Sequence, residues 1–521
     1  MKIERALISV SDKTGLEEFT GTLNRFGVEI ISTGGTAEAI KSFGIPVVEV
    51  SSYTGFPEML EGRVKTLHPK IHAGILALRE DKEHMRQLQD KGIQLIDMVV
   101  VNLYPFEEVT ARPEVALDEA IENIDIGGPS MLRSGAKNYR SVAVVSSASQ
   151  YGRIIDELEN NNGELKETTL QELAIEVFDK TSQYDGAINK FLSERSSMEA
   201  EKSFPGKFNL RMEKVRDLRY GENPHQHAAF YRDIDAAEGC GIADADQLQG
   251  KELSFNNILD LSSVIEIVKN FSNPAVSIVK HNNPCGVAVA DTLEKAYLGA
   301  LDCDRMSAFG GIMGFNGRIS KEMAELILGE ANFIECIIAP GYEDDALAVF
   351  SSKKNLRILS LPLRKFDMSN EKDIKKIPGG VLLQDMDTKS LNPEDIKVVT
   401  KKQPSKELLD SLIFGWDIVK YVKSNAIVLC HGTKTVGIGA GQMSRVDSVM
   451  IAVSKAGQRA KGAILASDAF FPKGDSIEKA HEAGISAIIQ PGGSIKDKEV
   501  IEACDHFDIP MIFTGIRHFR H

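Results

Sequence analysis

Apolar runs and helix-period segments alternate through the first 150 residues: "ALISVS", "LEEFTGTLNRF", "VEIIS", "AEAIKSFG", "PVVEV", "IDMVVVNLYPF" and "SVAVVS". This alternation predicts α/β architecture with a mostly parallel sheet. Ligands of such sheets sit outside the carboxyl ends of the strands, so the turns after each run are where chemistry is expected. From 152 to 195 the period is helical ("YGRIIDELEN", "LQELAIEVFDKTSQYDGAINKFL"), and the polar "SERSSMEAEKSFPGKF" that follows marks a domain boundary near residue 200.

Beyond that boundary the chain repeats itself. "AVSIVKHNNPCGVAVA" from 275 aligns without a gap with "NAIVLCHGTKTVGIGA" from 425, an offset of 150. Each copy reads as a strand ending in histidine (His281, His431), a polar turn and a returning strand. Similar segments continue downstream, "LEKAYLGAL" and "SAFGGIMGFNGRISKEMAELI" against "SVMIAVSKAG" and "GAILASDAFFPKGDSIEKAHEAG". Residues 201–521 are therefore expected to form two related α/β units, roughly 201–365 and 366–521, with a site at their interface. Only the first copy carries Lys280 before its histidine and "NNPCG" after it. Adjacent strand residues face opposite sides, so Lys280 and His281 can serve one substrate only if the strand ends there and the chain turns. Histidine can exchange a proton near neutral pH, and lysine can stabilise an oxyanion or protonate a leaving nitrogen.

Composition narrows the classes of ligand. A chain of 521 residues suggests three or four domain-sized units. With 61 Lys plus Arg against 75 Asp plus Glu, the net charge of −14 repels nucleic acid and anionic membranes, so any bound anion must be held by a local pocket. A hydrophobic fraction of 42% with 26% charged residues is that of a globular protein with a large core. The six cysteines (240, 285, 303, 336, 430, 504) are scattered, which argues against a disulfide framework or a cysteine-rich zinc site and fits a reducing cytoplasm. The N-terminal "MKIERALISVSDKTG" has no signal-like core, and no apolar stretch reaches the ~18 residues of a membrane span.

Four turns in the first 150 residues concentrate anion-binding chemistry. "SVSDKTG" places Ser11 or Asp12 as a helix N-cap with Lys13 beside it, and "STGGTAEAI" lets Gly34 and Gly35 bring backbone N–H groups to an oxyanion while Thr36 opens a helix. "GRVKTLHPKIHAGIL" carries Arg63, Lys65, Thr66, His68, Lys70 and His72 and, with Pro69, reads as a loop in its first half. "IDIGGPSMLRSGAKN" adds a second Gly-Gly turn at Gly127, with Asp125 before it and Lys137 after it. Together they describe a phosphomonoester pocket. His68 and His72 lack a third ligand at metal spacing, which favours a hydrogen-bonded structural role.

Aromatic and basic clusters lie in the C-terminal region. "LRYGENPHQ" sets Arg219 and Tyr220 in a turn too polar for a core strand. "SDAFFPKGD" places Phe470, Phe471 and Pro472 near Asp475, which suits either a planar bicyclic ring beside a carboxylate or a buried aromatic pair. The tail "GIRHFRH", with Arg517, His518, Arg520 and His521, follows the strand-like "PMIFTG" and is placed to pack into a site. "PCG" matches part of the zinc deaminase signature, but the partner glutamate and second cysteine are missing, so the unit is read as deaminase-like without zinc.

The ordered set "SVSDKTG", "STGGTA", "GRVKTLHPKIHAGIL", "NLYPF", "DIGGPSMLRSGAKN", "LRYGENPHQ", "KHNNPCG", "CDRMSAFGG", "GAGQMSR" and "SDAFFPKGD" resembles the AICAR formyltransferase/IMP cyclohydrolase family of bifunctional purine biosynthesis proteins, from residue 5 to the final histidine. The resemblance implies a methylglyoxal-synthase-like cyclohydrolase domain at 1–200 and a formyltransferase region at 201–521 built of two cytidine-deaminase-like units. It implies transfer of a formyl group from 10-formyltetrahydrofolate, as co-substrate, to the 5-amino group of AICAR, then closure of formyl-AICAR to IMP with loss of water. For transfer it assigns proton removal to His281, assistance at the oxyanion or the folate nitrogen to Lys280, and a place near the formyl group to Asn425. Arg219, Tyr220, Asn257, Phe309, Gly310, Arg445, Arg517 and His521 match substrate contacts, and Phe470, Pro472 and Asp475 the folate side. For cyclisation it assigns the chemistry to Lys65, Tyr104, Asp125 and Lys137, leaving open which is the base. Ser11, Lys13, Gly35, Thr36, Arg63, Thr66 and Gly127 hold the nucleotide. It further implies a cytoplasmic homodimer with shared transferase sites, no catalytic metal, and room for a monovalent cation.

Two departures accompany the resemblance. Cys285 stands where some members carry alanine, and the chain is shorter than animal members, with 350–410 the segment whose elements are least defined by pattern. A nucleotide sensor without turnover would also explain the N-terminal pocket, and a zinc deaminase the C-terminal repeat; absence of turnover or stoichiometric zinc would mark them.

Overall fold

Alternate residues of the first strand face two different cores. The computed structural model describes residues 1–112, 114–197, 204, 206–236, 239, 241–363 and 371–521, which divide into two compact units, Met1–Leu210 and Arg211–His521. The expected junctions at 200–201 and 365–366, and Cys240, lie outside the described residues.

In the first unit, β1 (Arg5–Ser9), β2 (Glu29–Ser32), β3 (Val48–Glu49), β4 (Met98–Val101) and β5 (Ala143–Val145) form one sheet in the order β3-β2-β1-β4-β5. Every pairing is parallel, with Leu7 opposite Ile31 on one side and Val99 on the other. Ala6, Ile8, Met98 and Val100 pack into one apolar cluster and Leu7, Val99 and Val101 into another. Burial on both faces is why these strands read as continuous apolar runs. The 31-residue helix Glu167–Ser197 contributes to both clusters, Leu170 and Leu173 to one and Ala174 and Val177 to the other.

The second unit opens with a hairpin, β6 (Met212–Leu218) and β7 (Ala228–Asp233), whose connecting turn is the polar "RYGENPHQH". Its main sheet contains β8 (Asp246–Gln249), β9 (Ala275–Lys280), β10 (Asn283–Val289), β11 (Gly311–Phe315), β12 (Ile334–Ala339) and β13 (Arg357–Ser360). A second hairpin, β14 (Lys372–Ile377) with β15 (Gly380–Asp385), occupies part of 350–410. The main sheet continues with β16 (Lys397–Val398), β17 (Ile427–His431), β18 (Lys434–Gly439), β19 (Ile464–Ser467), β20 (Ala487–Gln490) and β21 (Met511–Phe513).

The 12-stranded order is β16-β21-β20-β19-β17-β18-β10-β9-β11-β12-β13-β8, a palindrome of two equivalent halves that meet where β10 pairs with β18. Each half carries, after its first strand, a Ser-capped 14-residue helix, Phe255–Val268 or Lys406–Val419. The repeat is therefore real, but its offset is 151. In the first hairpin Lys280 pairs with Asn283, Val279 with Pro284 and Val276 with Ala288; in the second His431 pairs with Lys434, Cys430 with Thr435 and Ile427 with Gly439. The counterpart of Lys280 is thus His431, and that of His281 is Gly432, correcting the gap-free alignment at 150. Matching two histidines by letter slips the register by one, and a one-residue slip would turn every side chain to the wrong face.

Candidate functional site

A cavity of about 730 Å³ opens at the carboxyl ends of β1, β2 and β4 in the first unit. Ser11, Lys13, Gly35, Thr36, Arg63, Lys65, Thr66, Tyr104, Asp125 and Gly127 all line it, so the chain turns expected to bind an anion converge. Two helices, Gly34–Ser42 and Gly127–Lys137, begin at the cavity; neither N-cap residue, Thr33 or Ile126, caps with its side chain, and in the second helix Asp125 takes the N–H of Gly128. Such ends favour negative charge. Lys13 reaches across to Thr36 Oγ1 (3.3 Å), and burial lowers its pKa. Thr36 Oγ1 in turn donates to Val10 O over 2.9 Å, tying the start of the Gly34–Ser42 helix to the residue that follows β1.

Glycines let the walls approach. A Cβ at Gly127 would stand 2.8 Å from Thr66 Oγ1, and one at Gly128 would run into the Asp125 carboxylate. Asp125 Oδ1 accepts from Gly128 N over 2.8 Å, and burial raises its pKa against the opposing pull of backbone N–H groups at Gly128, Tyr104 and Gly127. Lys65 Nζ pairs with Glu58 Oε1 at 2.8 Å, and Arg63 pairs with Glu122. Asn102, not singled out from sequence, accepts at Oδ1 from Ser11 Oγ (2.8 Å) and Asp12 N (3.2 Å) and so shapes the Ser11 turn. Its position after the apolar "MVVV" of β4 was the available clue.

One expected site residue lies apart from the cavity, and two expectations about local structure need correction. Lys137 does not line the cavity: it is the exposed last residue of the helix that Gly127 starts, about 15 Å along the axis at 1.5 Å per residue. Neither Ser11 nor Asp12 caps the first helix, Leu16–Arg25; Gly15 does, at φ 68°, while Asp12 accepts from Thr14 N. Pro69 does not keep helix away but starts one, Pro69–Leu76, because its missing N–H and fixed φ suit the first helical position. His68 caps that helix, accepting at Nδ1 from Lys70 N (3.1 Å), and His72 Nδ1 meets Ser134 Oγ at 3.1 Å. Among the described residues no group of three or more His, Cys, Asp or Glu side chains is arranged to hold a metal ion.

In the second unit, β9 ends at Lys280 and a two-residue turn follows, with His281 at φ 54° and Asn282 at φ 58°. The turn is the condition under which Lys280 and His281 can share a substrate. Lys280 Nζ donates to Phe309 O over 2.7 Å, and Gly310 follows at φ 69°, donating to Phe333 O (2.9 Å). Asn283 Oδ1 accepts from Lys423 N over 3.0 Å, linking the turn to the segment that carries Asn425. Arg445 donates from Nη2 to Asn425 Oδ1 (2.7 Å) and from Nη1 to Ser467 Oγ (2.8 Å), and pairs with Asp468. Its guanidinium is buried and occupied, so it orients Asn425 from within. Asp468 was not singled out; a charged residue directly after the apolar "AILAS" was its trace.

The C-terminal tail packs in place. His518 is buried with Nδ1 2.6 Å from Asp387 Oδ2, Arg520 N donates to Ser424 Oγ (3.1 Å), and Lys423 Nζ donates to His521 O (2.8 Å). Arg517 lies 4.4 Å from the Phe519 ring centroid. Asn257 is buried and exchanges hydrogen bonds with Ser254 as a helix cap (3.1 and 3.2 Å). Arg219 and Tyr220 stack in the β6–β7 turn at 5.7 Å. Of the aromatic cluster after β19, Phe471 is core, whereas Phe470, Pro472 and Asp475 remain on the surface. Cys285 is buried and its thiol pKa is pushed up to about 12, which leaves it protonated and inert.

A family model described as "AICARFT/IMPCHase bienzyme" matches residues 135–455, and one described as "MGS-like domain" matches residues 15–130. The "Bifunctional purine biosynthesis protein PurH" of Acetivibrio thermocellus is 51% identical over 524 residues, covering 100% of both chains. The protein of the same name from Ruminiclostridium cellulolyticum is 49% identical over 520 residues, again covering 100% of both. A solved chain titled "Crystal structure of ForH" is 32% identical and covers 36% of this chain and 96% of its own, with a TM-score of 0.34, too low to bear on the fold.

Proposed function

The chain belongs to the AICARFT/IMPCHase bienzyme family, and from that premise we propose how its two activities divide between its two units. As a bifunctional enzyme of purine biosynthesis, it formylates AICAR and closes the product to IMP. We assign closure to the cavity of the first unit and formyl transfer to the Lys280–His281 turn of the second. The observation that carries the first assignment is the convergence of two Gly-Gly helix starts, Lys13, Lys65 and a half-buried Asp125 on one cavity.

For closure, the carboxamide nitrogen must attack the formamide carbon within one molecule, so the site's task is folding, charge stabilisation and proton movement. The helix starts and Lys13 suit the phosphate. Asp125, its pKa raised by burial, suits the proton acceptor, and Lys65 the developing oxyanion.

For transfer, the AICAR amine is a poor nucleophile, and His281 takes its proton as it attacks the formyl carbon of 10-formyltetrahydrofolate. Lys280 stabilises the oxyanion or protonates N10 as tetrahydrofolate leaves. Asn425, held by Arg445, lies next to the formyl group. Phe470, Pro472 and Asp475 form a surface suited to the folate ring. Met306 (87%), Met443 (94%) and Phe309 (54%) are exposed apolar side chains of the second unit, and a homodimer that completes the transferase sites would give such side chains a partner. The five described cysteines are free and buried, as suits the cytoplasm.

The test incubates the purified chain with AICAR and 10-formyltetrahydrofolate and follows nucleotide products by mass. IMP with formyl-AICAR as a transient is expected. His281→Ala should remove transfer while sparing closure of supplied formyl-AICAR, and Asp125→Asn should do the reverse; joint loss in either variant overturns the division.

A further inference from the structure

The turn that presents His281 rests on a buried carboxylate. Asp260, in the helix Phe255–Val268 and 8% exposed, accepts the backbone N–H of His281 at Oδ2 (3.1 Å) and of Asn282 at Oδ1 (2.6 Å). Both residues occupy left-handed backbone conformations, which side chains other than glycine adopt at a cost. Ser263, three positions along the same helix, donates to Asn282 Oδ1 over 3.1 Å and braces the turn's second residue.

The second repeat is an internal control. At the offset of 151 set by the hairpin registers, His281-Asn282 corresponds to Gly432-Thr433, and Gly432 takes its φ of 55° without a Cβ to strain it. Asp260 corresponds to Ser411, which is also buried but turns its hydroxyl back to Glu407 O (2.9 Å) in its own helix. The acid therefore occurs in the repeat whose turn carries the Lys-His pair, where two non-glycine residues must be held left-handed.

We propose that Asp260 is a positioning residue for formyl transfer: by clamping both N–H groups of the His281–Asn282 turn, it sets where His281 projects from the end of β9. This inference rests on the assignment of transfer to Lys280 and His281. Displacing a reacting group by about 1 Å can cost on the order of 10²-fold in rate.

The test compares kcat and KM for formyl transfer in the full-length protein, Asp260→Asn, Asp260→Asn/Asn282→Gly and His281→Ala, with closure of supplied formyl-AICAR read in the same preparations. Asp260→Asn should lower transfer kcat by about 10²-fold with KM for AICAR and closure unchanged. Adding Asn282→Gly, which favours the left-handed turn without a clamp, should restore most of the loss. Wild-type kcat in Asp260→Asn, or a loss that Asn282→Gly does not relieve, overturns the proposal. Transfer persisting in His281→Ala overturns instead the assignment beneath it. Asp260→Ser matches the residue type that the second repeat accommodates at this position and carries the same expectations if Asp260→Asn fails to fold.

Discussion

Arg445 donates from Nη2 to Asn425 Oδ1 over 2.7 Å, and it does so from inside the protein, at 6% exposure. Its other arm reaches Ser467 and the fully buried Asp468. Arg445→Ala would strand that carboxylate, and removing one partner of a buried pair costs about 3–5 kcal/mol. The protein has a single tryptophan, Trp416, in the core of the second unit, so its fluorescence in denaturant reports that unit alone. A lower midpoint with loss of formyl transfer and intact closure is expected. An unchanged midpoint would show that Asp468 finds another partner.

Gly128→Ala should disable closure selectively. The added Cβ would fall on the Asp125 carboxylate and force it from the cavity wall. Closure of formyl-AICAR is expected to slow by on the order of 10²-fold while formyl transfer holds. Equal rates for variant and wild type would place Asp125 outside the chemistry.

The raised pKa of Asp125 has a stability consequence with a definite sign. A carboxyl whose folded value exceeds its unfolded one holds its proton more tightly when folded, so stability falls as pH rises from the ordinary carboxylate value through the raised one. Asp125→Asn keeps an acceptor for Gly128 N and removes that charge. Unfolding measured against pH should lose this part of the slope, leaving the variant at least as stable as wild type at neutral pH although closure is abolished. In the wild type, closure should decline as pH drops through the raised value, because the acceptor must be ionised.

Cys285 is expected to be dispensable. Burial pushes its thiol up to about 12, so alkylating reagents at neutral pH should leave it unmodified in the folded protein. Cys285→Ala should retain formyl transfer at near wild-type kcat, and a severe loss confined to transfer would assign the sulfur a role that its burial argues against.

The parallel sheet was legible because its strands are buried on both faces, which forces continuous apolar runs such as "DMVVV", and because Gly34-Gly35 and Gly127-Gly128 punctuate helix starts. The turn at His281–Asn282 was legible from the polar "HNNP" after an apolar strand. Asp260 and Asp468 were not: each is one acid within or beside an apolar segment, and pattern alone does not distinguish a buried acceptor from a solvated charge. The resemblance assigned Arg445 a substrate contact, and its partners within the fold, Asn425 and Asp468, come from elsewhere in the chain and leave no local trace beside it.

Local periodicity and turn chemistry, which act over a few residues, determined by themselves the alternation of strands and helices, the presence of a repeat and the identity of the residues that could carry charge. The tertiary structure alone decided which of those residues meet. Hairpin pairing moved the repeat from 150 to 151, exchanging His281's counterpart from His431 to Gly432. Helix geometry carried Lys137 away from the cavity that Asp125 lines. Both outcomes turn on register and rise, which are set by hydrogen bonds and packing between segments far apart in the chain and leave no mark on the local order of residues.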